Sequence, residues 1–133
     1  MKKGINIETE AVKKMAFTIK IEEAAITAIS VYFLSINNLG LPVWIWVLLF
    51  FSPDISMVGY IISTRIGAYC YNLFHHRAVA LALLALGLLT HNNALVAVGA
   101  LLFAHSSFDR MMGYGLKYID DFKHTNLGWM RKK

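Results

Sequence analysis

The chain is poor in charge, and it lacks the short motifs by which common catalytic sites declare themselves. Charged residues are 16% of its 133 positions, against 57% hydrophobic. A soluble domain usually carries about 25% charged and about 45–50% apolar residues, so both values lean toward lipid. One cysteine, Cys70, excludes an intrachain disulfide and leaves the redox compartment open; a lone thiol of this kind is expected to serve as a small buried hydrophobe. There is no HExxH pair, no CxxC pair and no GxSxG turn, which removes the zincin, zinc-ribbon and nucleophile-elbow readings. The stretch Gly113-Tyr114-Gly115 is too short to cradle a phosphate. No internal repeat is visible.

What is present is a long apolar field with charged ends. Residues 24–112 form a hydrophobic domain, preceded by a mixed segment at 1–23 and followed by a basic tail at 113–133. The formal net charge of +5 gathers near the two ends, where Lys and Arg hold against anionic headgroups; no basic stripe with interleaved aromatics marks a nucleic-acid face. The first apolar run starts near Ala24, too far in for a cleavable signal, so the first span is expected to stay in the mature protein. Ala11, Met15 and Ile19 fall at helical spacing, which suits an amphipathic interfacial helix.

Five apolar segments follow: Ala24–Ile36, Leu41–Phe51, Ile55–Phe74, Ala78–Leu89 and Ala94–Met112. Asn37-Asn38-Leu39-Gly40, Ser52-Pro53-Asp54, His75-His76-Arg77 and Thr90-His91-Asn92-Asn93 divide them. Trp44 and Trp46 fit an aromatic belt, and the Ala/Leu-rich fourth segment reads as lipid-facing. A helix spanning a core of about 30 Å needs about 20 residues, and two of these runs are shorter. The expected fold is an all-α integral membrane protein, a bundle of four to five transmembrane helices, with an even count keeping both basic ends on one side. The expected location is multi-pass in a membrane. The bilayer is the expected partner, with a second copy of the chain as a further one and nucleic acid excluded.

Ionisable residues inside such a field are functional candidates by default, because a charge at the bilayer centre costs at least about 2.5 kcal/mol. His105 and Asp109 stand four apart, on one helical face, and Asn72 shares a face with His75 or His76. Asp54 adds a carboxylate. Imidazoles and carboxylates converging from facing helices suit zinc, or manganese or iron with more oxygen ligands. A metal with an open position would activate water against an ester or phosphoester, and Arg110 or Arg65 would hold an anionic group. The competing reading is structural: Asp109 pairs with Arg65 or Arg110, Asp54 caps a helix beginning at Ile55, and the histidines bond backbone carbonyls or sit at the interface.

Longer strings carry a resemblance. Pro53-Asp54-Ile55-Ser56-Met57-Val58-Gly59-Tyr60, Tyr71-Asn72-Leu73-Phe74-His75, Ala104-His105-Ser106-Ser107-Phe108-Asp109-Arg110 and Gly113-Tyr114-Gly115-Leu116-Lys117-Tyr118 resemble a bacterial family of small multi-pass membrane proteins known only as a domain of unknown function. The resemblance covers residues 20–128 and implies a bacterial inner-membrane setting. It also implies His75 rather than His76, and the polar group Asp54, Asn72, His75, His105, Asp109 and Arg110. In the hydrolase reading Asp54, His75, His105 and Asp109 bind a divalent metal such as zinc, while Arg110 and Asn72 serve catalysis. Near the tail the family pattern FxDTHLG stands here as Phe122-Lys123-His124-Thr125-Asn126-Leu127-Gly128, with an acid and a histidine replaced, which argues against a metal role for the tail. A looser similarity links the PD and H-x-x-x-D elements to metal-dependent membrane hydrolases. Two functions therefore stand open: a structural, interaction or ligand-binding membrane protein, and a metal-assisted membrane hydrolase.

Overall fold

The computed structural model describes residues 2–130, with side chains from Ile7 onward; Arg131, Lys132 and Lys133 of the basic tail lie outside the described residues. Five α-helices dominate: α1 (Lys2–Ile36), α2 (Val43–Phe50), α3 (Thr64–His75), α4 (Arg77–Leu89) and α5 (Asn93–Met112). A 3-10 stretch, Ser52–Ile61, follows α2, and a two-stranded ribbon, β1 (His124–Thr125) with β2 (Gly128–Trp129), closes the chain. The mixed segment at the N-terminus is helical as its spacing suggests, but it runs into the first apolar segment as one helix without a break.

Pro53 does not separate two helices. It stands at the start of the 3-10 stretch, where a missing N–H costs nothing, so the chain passes through Ser52-Pro53-Asp54 and breaks only after Ile61. Ser63 is the cap of α3: its side chain accepts from the Ile66 N–H at 3.1 Å. Asp54 makes no such bond, which corrects the expected capping role. A ten-residue 3-10 run is unusual, since such runs rarely pass three or four residues and often mark functional positions. It holds here because it lies against α3: a Cβ on Gly67 would come within 2.2 Å of the Tyr60 ring.

The apolar core gathers Leu34 of α1, Ala80 of α4, and Ala97, Ala100, Leu101 and Leu102 of α5. α4 is not merely lipid-facing filler, because Ala80 and Gly87 are buried against α5. The two backbones approach so closely that a Cβ on Gly99 would lie 2.5 Å from the Leu84 nitrogen. Small residues allow this approach where lipid offers no hydrophobic drive to pair helices. The Arg77 guanidinium pairs with Glu23 and donates to Ser107 Oγ at 3.0 Å, tying α1, α4 and α5 together at one level.

Val43–Ile61 is one helical stretch long and apolar enough to cross a membrane, and α3 with α4, bent by 43° at their junction, would make a second. By length and composition the described helices thus supply one or two spans where hydropathy suggested four to five. α3 and α4 are short, 12 and 13 residues, and polar groups interrupt the remaining runs.

Candidate metal centre

Three elements deliver four side chains to one point. Asp54 comes from the start of the 3-10 stretch, His75 from the last turn of α3, and His105 and Asp109 from successive turns of α5. One ligand atom from each lies within 4.8 Å of all the others. His75 Nε2 is 3.1 Å from His105 Nε2, 3.2 Å from Asp109 Oδ2 and 3.4 Å from Asp54 Oδ1. His105 Nε2 is 3.3 Å from Asp54 Oδ1 and 3.7 Å from Asp109 Oδ1. Bonds of about 2.0–2.1 Å to a tetrahedral zinc put neighbouring ligand atoms about 3.3–3.5 Å apart. The separations among His75, His105 and Asp54, 3.1–3.4 Å, are close to that edge length, while Asp109 faces the two histidines through different oxygens.

Proton counting points the same way. His75 Nδ1 lies 2.8 Å from the Tyr71 carbonyl, which can only accept, so Nδ1 carries the hydrogen. In a neutral ring His75 Nε2 is then a bare lone pair facing another imidazole nitrogen and two carboxylates. The Tyr71 hydroxyl donates to Asp109 Oδ2 at 2.7 Å from outside the cluster. A hydrogen on His105 Nε2 would meet the His75 and Asp54 contacts, and a cation at the middle would meet the Asp109 contacts as well.

The surroundings are dry on one side. His105 is fully buried, and the Phe50 and Phe51 rings stand edge-on to it with centroids at 5.4 and 6.4 Å. The Tyr71 ring stacks on His75 at 3.7 Å. Asp54 alone is open, its side chain 34% exposed, so a ligand or water would enter there. Bonds of the kind made by the Tyr71 carbonyl and hydroxyl fix a ligand's tautomer and orientation in metal sites. His105 lacks this support: its Nδ1 is buried with no hydrogen-bond partner.

The other expected residues go elsewhere. Asn72 spends both ends of its amide on the tail, donating to the Lys117 carbonyl at 2.8 Å and accepting from the Lys117 N–H at 2.7 Å. Arg110 is half-buried, beside the centre in sequence, and no ion pair joins it to Asp109; neither does Arg65, which is exposed. The expected Asp109–arginine pair is therefore replaced by contacts with the two histidines. His76 caps α4 by accepting from the Ala78 N–H, and His91 sits exposed in the α4–α5 turn.

Two further residues, Tyr71 and Lys117, flank the centre. Tyr71 precedes His75 by four, the spacing that places both on one helical face. Lys117 folds back so that its Nζ lies 4.8 Å from the Tyr71 ring and 3.8 Å from the Phe122 ring, and it donates to the Phe122 carbonyl at 3.0 Å. Burial pushes the Lys117 ammonium down from the usual lysine range, against the opposing pull of the Asp109 and Asp54 carboxylates. In the tail, the Asn126 side chain accepts from the Leu116 N–H at 2.7 Å and Thr125 Oγ1 donates to the Gly128 carbonyl at 2.8 Å. Among the described residues the tail closes its own ribbon and contributes nothing to the four-residue cluster.

Fold and site define a small, mostly helical protein with a largely buried two-histidine, two-aspartate cluster open at Asp54. The chain belongs to the family described as Domain of unknown function (DUF4260), which it matches over residues 16–130. No curated protein and no solved structure matches it.

Proposed function

We propose that this chain is a multi-pass membrane metalloprotein whose Asp54–His75–His105–Asp109 centre supports hydrolysis of a lipid-like ester or phosphoester. The observation that carries the reading is the convergence of four metal-suited side chains, one ligand atom from each within 4.8 Å of all the others, with one open side at Asp54. A divalent ion there would lower the pKa of a bound water to about 7 and polarise the scissile group. The water oxygen joins the acyl carbon or phosphorus, the ester bond to the alcohol oxygen breaks, and the alcohol leaves with a proton from the water. Arg110, half-buried and next to Asp109 in sequence, is the cation assigned to hold an anionic group.

The outer surface supports a bilayer setting. Ile61 and Leu89 are 83% and 80% exposed, and large apolar side chains stand exposed along every helix. Soluble monomers rarely show contiguous apolar patches beyond a few hundred Å². The unpartnered His105 Nδ1 favours a second reading, in which the centre is a protonated network that only locks the helices, because metal-bound histidines almost always donate their other N–H.

The test is hydrolysis of chromogenic esters and phosphodiesters by detergent-purified protein, stripped with a chelator and reloaded with zinc, manganese or iron. Turnover should require the metal and should vanish in a folded His105→Ala variant. No turnover from any metal-loaded form, with thermal stability indifferent to chelation, would leave the structural reading.

A further inference from the structure

Lys117 places an ammonium where one is costly. The residue is 5% exposed, and no carboxylate forms an ion pair with it among the described residues. Lysines are almost never so buried unless paired. The ammonium donates instead to the Phe122 carbonyl at 3.0 Å, with Met130 Sδ at 3.9 Å. It also lies 3.8 Å from the Phe122 ring centroid and 4.8 Å from that of Tyr71. Both rings are within the about 6 Å over which an aromatic face attracts a cation.

Holding the tail in place does not require that charge. The Asn72 side chain already grips the Lys117 N–H and carbonyl, and Lys117 bridges to Thr125 within the tail. The Phe122 ring stands edge-on to Tyr60 at 5.1 Å, which fixes the tail to the 3-10 stretch as well. An apolar side chain of similar length would fill the space beside Tyr71 and avoid the desolvation of an ammonium. What only a cation does is draw electron density from the Tyr71 ring. That makes the phenol a stronger donor, and this phenol donates to Asp109 Oδ2 at 2.7 Å. His75 Nε2 lies 3.2 Å from the same oxygen. The contacts thus run from Lys117 through Tyr71 to Asp109 and end at the candidate metal centre.

We propose that Lys117 is a positioning residue of that centre, acting through the Tyr71 hydroxyl to orient Asp109 for a divalent ion. This rests on the metal-centre reading, but the link from Lys117 to Tyr71 holds with or without metal. A direct effect of the ammonium on the ion has the opposite sign. Two positive charges repel, so removing the lysine's charge would then tighten the metal.

The test is a double-mutant cycle of Lys117→Met and Tyr71→Phe in the detergent-purified whole chain, with zinc affinity read by competition against a chromophoric chelator. Lys117→Met alone should weaken zinc by about 3–10-fold, less than the about 10–100-fold expected for a direct partner of a ligand. In the Tyr71→Phe background it should change zinc affinity by less than about twofold. Lys117→Arg keeps a cation able to stack on the rings and should hold zinc within about twofold of the wild type. A second readout needs no zinc: in the chelated protein, the drop in unfolding temperature caused by Tyr71→Phe should shrink in the Lys117→Met background. That coupling in a protein that binds no zinc would support the Lys117–Tyr71 link while removing the metal-centre reading. Zinc held as tightly or more tightly by Lys117→Met, or weakened equally in both backgrounds, would overturn the proposal. The lysine would then act on the ion directly or on the tail alone. Strictly additive drops in unfolding temperature with no zinc bound would overturn it too.

Discussion

Replacing Tyr71 with phenylalanine removes one oxygen and little else. The phenyl ring keeps its stack on His75 and its place beneath Lys117 Nζ. What goes is the hydroxyl donating to Asp109 Oδ2 at 2.7 Å. A hydrogen bond to a charged group contributes about 1.5–3 kcal/mol net, so the metal-free protein should lose stability of that order. Removing an outer-shell partner of a metal ligand typically weakens the metal by about 10–100-fold. That corresponds to about 1.4–2.7 kcal/mol of binding free energy. Competition with a chromophoric chelator in detergent measures the affinity, and thermal unfolding of the chelated protein measures the stability. Unchanged metal affinity beside a lowered unfolding temperature would refute the reasoning, because the hydroxyl would then serve only the fold and Asp109 would not be a ligand.

Two further substitutions probe the frame around the centre. Asn72→Ala removes both hydrogen bonds to the Lys117 backbone, a loss of about 1–3 kcal/mol. Faster tryptic cleavage within residues 113–130, with helical dichroism unchanged, is expected; loss of the helical signal would show that Asn72 supports more than the tail. Gly99→Ala sets a methyl 2.5 Å from the Leu84 nitrogen and 2.8 Å from the Ala80 carbonyl, both backbone atoms. Overpacking of this kind costs about 1–3 kcal/mol and should lower the unfolding temperature, whereas a neutral result would mean that α4 and α5 are free to move apart.

The helix-face spacing of His105 and Asp109 was readable from the chain alone, since both lie within one uninterrupted helix. Asp54 stood out as an acid inside the apolar field, but choosing His75 over His76 took the resemblance, because nothing local distinguishes the two until α3 ends and turns one inward and the other out. The path at Pro53 was misread for a physical reason. Proline breaks a helix interior, but here it opens a 3-10 stretch that continues α2, and this continuation carries Asp54 to the histidines. Asn72 was singled out by its helix face shared with the histidines and by the resemblance; its hydrogen-bond partner, the Lys117 backbone, lies 45 residues away and leaves no local mark. The same distance hid Lys117, whose place over Tyr71 depends on how the tail folds back.

The most direct test is elemental analysis of the detergent-purified protein, in parallel with His105→Ala and Asp109→Asn. The account expects close to one zinc, manganese or iron per chain in the wild type, retained through dialysis and lost in both variants while their helical content stays. A well-folded wild type that holds no metal, even after each ion is added back, would contradict it, and the four side chains would then be a proton-bridged structural network.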